Sequence, residues 1–99
     1  MAEKTVQIEG KQYTAAQIKS GKVEISEGSF IVGVEKEDKA SLLKVMKEGE
    51  LQWEPKMPYS DAMPMFAGQL DQAKILWLLA RDEVKFIEAD GIVTICEKS

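Results

Sequence analysis

Three stretches of the chain alternate apolar and polar positions on either side of an acidic residue followed by glycine. Val6-Gln7-Ile8 and Gln12-Tyr13 flank Glu9-Gly10. Val23-Glu24-Ile25 and Phe30-Ile31-Val32 flank Glu27-Gly28. Val84–Ala89 and Ile92–Cys96 flank Asp90-Gly91. Alternation with a period of two predicts half-buried strands, and a glycine free to take positive φ predicts a tight hairpin turn at each site. Asp-Gly is the strongest of the three turn signals. The intervals are irregular, so this is recurring turn chemistry and not a repeat architecture.

Helical spacing fills the gaps. Thr14 and Gln17 stand at capping-box spacing and Gly21 is placed as a stop, which predicts one or two turns pinned to the core by Ile18. From Glu35 to Glu48 the apolar positions Ala40, Leu42, Leu43 and Met46 form an i, i+3, i+4 stripe, with Asp38 as N-cap and Gly49 as terminator. Leu51 and Trp53 then alternate with Gln52 and Glu54 as a strand would, and Pro55 and Pro58 end it. A second helix is predicted from Gln69 to Asp82 or Glu83, with Leu70, Ala73, Leu76, Trp77 and Ala80 on one face. Ile75, Leu78 and Leu79 widen its apolar arc, so it is central to the core or covered on a second side by a partner. Phe86, Ile87, Ile92, Val93 and Ile95 supply apolar residues to both faces of the last hairpin, which predicts a cover on each face. The order β-β-α-β-β-α-β-α-β-β reads as a single α+β domain over residues 1–99. Its sheet is mainly antiparallel and built from hairpins, with one short and two longer helices.

Composition changes the picture mainly by exclusion. The 99 residues include no His, and Arg81 is the only arginine among 13 basic residues. Without His there is no imidazole for general acid–base work or for a Ser–His or Cys–His pair. One Cys and no His cannot build a closed zinc site. The expectation is a protein that is not an enzyme and carries no cofactor or metal. A formal charge of −4 argues against nucleic acid as a partner. Lys36, Lys39, Lys44 and Lys47 are interleaved with Glu35, Glu37, Asp38, Glu48 and Glu50, as on a solvated helix face. Cys96 alone cannot form an internal disulfide, which suits the cytoplasm. The strongest apolar run, Ile75–Ala80, falls far short of the roughly 20 residues that cross a bilayer, so no membrane association is expected.

Two motifs fail on their own residues, and two single residues have an ordinary reading beside a functional one. Glu88, Asp90, Gly91 and Glu97 imitate half of a calcium loop, but Phe86 occupies the first ligand position. Gly28 to Gly33 has the glycine spacing of a phosphate loop, with Val34 and Glu35 where Lys and Ser/Thr are needed. Cys96 has Glu97 beside it, which disfavours a thiolate. Arg81, in the last helical turn, suits the helix dipole, with anion binding as its other use.

The stretch from Trp53 to Phe66 is the least ordinary. It gathers Trp53, Met57, Tyr59, Met63, Met65 and Phe66 with three prolines. It is either a lid on the core or a contact surface, since Met and aromatic residues are enriched at interface cores. With Trp77 and Arg81 these residues are the candidate partner- or ligand-binding set. The reading is a small acidic protein-binding module that covers another protein's surface, as inhibitors and immunity or anti-defence proteins do. Its acidity suits a basic partner, steered by Glu48, Glu50 and Glu54 around Trp53. The alternative is a homo-oligomer that binds or sequesters a nucleotide or metabolite, with Trp53, Tyr59, Phe66 and Trp77 stacked on a planar ligand.

Overall fold

The computed structural model describes residues 4–98. Seven strands and three α-helices follow in the order β1 (Thr5–Ile8), β2 (Lys11–Thr14), α1 (Ala15–Lys19), β3 (Val23–Ile25), β4 (Gly28–Val34), α2 (Lys39–Glu48), β5 (Met65–Leu70), α3 (Gln72–Leu79), β6 (Val84–Ala89) and β7 (Ile95–Glu97). This is an α+β domain. Five strands form one sheet in the order β2-β1-β6-β4-β5, antiparallel except where β1 runs beside β6, and β3 with β7 forms a separate ribbon.

One row of side chains ties the sheet together. Tyr13 stands opposite Val6, Val6 beside Ile87, Ile87 opposite Val32, and Val32 opposite Phe66. Each of the five strands contributes one residue to this row, and none is more than 4% exposed. Ile18, Leu42, Met46, Ile75, Leu78, Val23, Ile25 and Val93 bring all three helices and the ribbon into the same core.

Local signals were sound where they were purely local. Glu9 and Gly10 take φ of 51° and 82°, closing the β1–β2 hairpin. Thr14 and Gln17 form the full capping box, and Gly21 stops α1 at φ 83°. The other two turns do not make hairpins. Both long edges of β4 are taken by β5 and β6, so β3 cannot pair with it; both edges of β6 are taken by β1 and β4, so β7 cannot fold back on it. The two displaced strands pair with each other, and Val93 packs onto Gly28, where an added Cβ would meet it at 3.0 Å.

Three other expectations shift. Leu51–Glu54 is not a strand: Gln52 adopts φ 46° and the Trp53 N–H donates to Met46 O. The strand lies later, at Met65–Leu70. A 3₁₀ turn at Lys36–Asp38 leads into α2, and Asp38 makes no side-chain cap. The last helix starts at Gln72 because Asp71, extended at φ −94° and ψ 177°, caps it by accepting the Lys74 N–H at 2.9 Å. Its buried face is Ile75, Leu78 and Leu79, whereas Ala73 and Ala80, grouped by spacing on one apolar face with Leu76 and Trp77, are exposed.

The Lys74 backbone N–H at the cap holds the Asp71 carboxyl below its ordinary range. A depressed carboxylate contributes stability above its unfolded pKa and loses it as pH falls through the folded one. Asp71→Ala should therefore cost about 1 kcal/mol at pH 7. The gap from wild type should narrow in urea melts taken near pH 3.

Candidate functional site

The two faces of the sheet differ completely. Helices and ribbon all pack on the side of Val6, Ile87, Val32 and Phe66. On the other side Gln12, Gln69, Phe86 and Glu88 are exposed, while Gly33 under Phe86 and Ala67 beside the strap are buried. Strand alternation places there Thr5 and Gln7 of β1, Gln12 and Thr14 of β2, Phe86 and Glu88 of β6, Ser29, Ile31 and Gly33 of β4, and Met65, Ala67 and Gln69 of β5. Glu88 is charged, and so is Lys85: where the register shifts at Gly33/Val34, Val84 and Ile87 are both buried and Lys85 is exposed beside Phe86, paired with Glu35 at 3.5 Å.

The face is polar on one half and apolar on the other. A row crosses it as Gln12, Gln7, Glu88, Ile31, Ala67 and Met57. A second row runs Phe86, Gly33, Met65. Phe86 lies flat on Gly33, where an added Cβ would fall inside its ring, yet the side chain is 39% exposed. The expected second cover over the last strands is thus absent from the described chain; Phe86 faces outward and Ile92 is 92% exposed.

A strap closes the free edge of β5. Met57 and Ala67 exchange both backbone hydrogen bonds at 2.8 Å, which blunts an edge otherwise open to strand addition. The strap then turns at Tyr59, held at φ 57°, a left-handed conformation that is costly for a bulky side chain. Lys39 fixes this turn. Only 3% exposed, it donates from Nζ to Ser60 O and Met63 O, both at 2.9 Å. Its place at the first residue of α2 sets a cation at the unfavourable end of the helix dipole, so the two carbonyls must offset that position as well as its burial. Lys39 is therefore not part of the solvated face to which its spacing assigned it, whereas Lys36, Lys44 and Lys47 are exposed.

The stretch from Trp53 to Phe66 divides between the two sides. Phe66 is fully buried, and Trp53 packs against it with ring centroids 6.3 Å apart and against Gly68, whose missing Cβ would lie 2.8 Å from Trp53 Cζ2. Met57, Tyr59 and Met63 are exposed, and Met65 is half-buried on the open face. Trp77 and Arg81 belong to neither group. They sit at the far side of the core, where Arg81 stacks 5.0 Å from the Trp77 ring and forks onto Glu83 through Nε at 3.2 Å and Nη2 at 2.8 Å. That pairing raises the guanidinium pKa and lowers that of the Glu83 carboxyl, so Arg81 is engaged within the fold.

Two clefts remain. One, about 510 Å³, lies between the β1–β2 hairpin and the ribbon; there the Tyr13 hydroxyl donates to Glu97 at 2.6 Å, and this bond and burial push its pKa up to about 12. The other, about 480 Å³, lies between α2 and the strap. Neither is lined by Trp53, Tyr59, Phe66 or Trp77. Among the described residues no His, Cys, Asp or Glu group is arranged to hold a metal, and no helix is long and apolar enough to cross a membrane. Cys96 is exposed on β7, not packed inside it. Comparison with known protein families, curated proteins and solved structures finds no match to this chain.

Ile31, Phe86 and Glu88 are not among the candidate binding residues read from the sequence. The signal for Phe86 was available: in Val84–Ala89 two adjacent apolar residues, Phe86 and Ile87, break alternation, so one must face away from the core.

Gly33→Ala should displace the Phe86 ring and cost about 1–3 kcal/mol. In a Phe86→Ala background the same change should be neutral or slightly stabilising. A double-mutant cycle of urea midpoints reads the coupling.

Proposed function

We propose that this chain is a small acidic protein-binding module without catalytic chemistry, which covers a partner's surface with the open face of its sheet. The observation that carries this reading is the composition of that face. Charged residues are depleted at interface cores while Met and aromatic residues are enriched. Here Ile31, Met57, Met65 and Phe86 cluster on a surface whose strands carry two charges, Glu88 and, at its border, Lys85 paired with Glu35. Five strands span about 20 Å, enough for a packed contact. The face lies on rigid strands, and the strap beside it is fixed by Lys39, so little ordering entropy opposes binding.

The absence of His and the single engaged Arg support the non-enzymatic part of the reading. An inhibitor or immunity-type role in the cytoplasm belongs to the same proposal, because such proteins act by masking a surface. A homo-oligomeric small-ligand binder has the two clefts in its favour. Neither cleft gathers the aromatic side chains that a planar ligand needs, so the open face carries the proposal.

The test compares immobilised wild type with an Ile31→Lys/Phe86→Lys double variant in quantitative capture from soluble extract of the source cells. Circular dichroism first confirms that the variant keeps its fold. The proteins retained by wild type should fall at least tenfold on the variant. Retention of the same proteins at the same level would remove the open face from the account.

A further inference from the structure

The open face also specifies the chemistry of what binds it, given the reading of that face as a binding surface. Lys85 at its border is already paired with Glu35, whereas Glu88 lies on β6, the middle strand, with Gln7 on one side and Ile31 on the other. It therefore marks the border between the polar and the apolar half. Asp90, two residues beyond it, and Glu9, two beyond Gln7, continue toward the same end of the sheet. None of the three acids belongs to an ion pair among the described residues.

A wholly apolar cover over Glu88 would strand a carboxylate without water or partner, which is strongly unfavourable. A second copy stacked symmetrically over the central strand would set two Glu88 carboxylates near each other, and both chains carry net charge of −4. The complement that satisfies both halves is apolar over Ile31, Met65 and Phe86 and cationic over Glu88. A guanidinium suits that position best, because it can fork onto a carboxylate.

We propose that the open face takes an amphipathic basic segment of a partner protein, with apolar side chains on Ile31, Met65 and Phe86 and a lysine or arginine on Glu88. Glu88 sets the register of the segment, and the apolar half supplies most of the affinity.

The probe is a displayed library of random dodecapeptides, selected on the immobilised full chain after depletion on the Phe86→Lys variant. Enriched peptides should carry a lysine or arginine among apolar residues. By calorimetry their affinity should drop at least tenfold on Glu88→Gln, and further on Glu88→Lys. Exchange of the peptide's basic residue for glutamate should restore binding to Glu88→Lys. Peptides that lose binding on Phe86→Lys but ignore Glu88→Gln would overturn the basic-segment proposal and leave the binding face standing. Failure to enrich any peptide over the Phe86→Lys control would overturn both. A wild-type dimer in sedimentation that Phe86→Lys dissociates would name a second copy as occupant and overturn the proposal.

Discussion

The row Tyr13–Val6–Ile87–Val32–Phe66 is the constraint on which the rest of the molecule depends. It takes one side chain from each strand of the five-stranded sheet, and it is the floor on which α1, α2, α3 and the β3–β7 ribbon are laid. A domain of this size can afford one core. Because all the covering elements are spent on one side, the opposite side is left with only what its own strands place there. The distinctive surface of the protein follows directly from the one-sided placement of its core.

That surface is held by features that would cost stability elsewhere. Gly33 gives up a side chain so that Phe86 can lie flat across β4. Tyr59 accepts a left-handed backbone, and Lys39 is buried without a carboxylate among the described ion pairs, to fix the strap that continues the sheet beyond β5. A strap bonded through Met57 and Ala67 also occupies the edge of β5 that a further strand would otherwise use. On the covered side, Arg81 is engaged by Glu83 and Trp77, and Trp53 fills the space above Gly68. These aromatic and cationic residues are engaged within the fold.

The fold class and most of the elements, β5 excepted, were legible in the sequence, because alternation, capping boxes and glycine stops are local. Strand partnership was not. Glu27-Gly28 and Asp90-Gly91 look like hairpin turns, but whether a chain that reverses also pairs depends on whether the previous strand has a free edge, which is decided by residues far away. Strand β5 was hidden by its own Ala67 and Gly68, poor strand formers that are needed where Ile31, Met57 and Trp53 approach closely. Met57, Tyr59 and Met63 are exposed and Met65 is half-buried, but Trp53 and Phe66, equally conspicuous by residue type, face the core. Spacing within an irregular, proline-rich segment carries no period from which to read that division.

The most direct test of one-sided burial uses two adjacent residues of β4. Ile31 and Val32 are both β-branched aliphatics in the middle of the same strand and differ only in the face they occupy. Urea midpoints of Ile31→Lys and Val32→Lys, measured side by side, read that difference. Ile31→Lys should leave a folded protein within about 1 kcal/mol of wild type, as substitutions on open surfaces do. Val32→Lys should lose at least about 4 kcal/mol or fail to fold, because it buries an unpaired charge. Comparable losses from both would mean that the face described as open is covered, and would contradict the account.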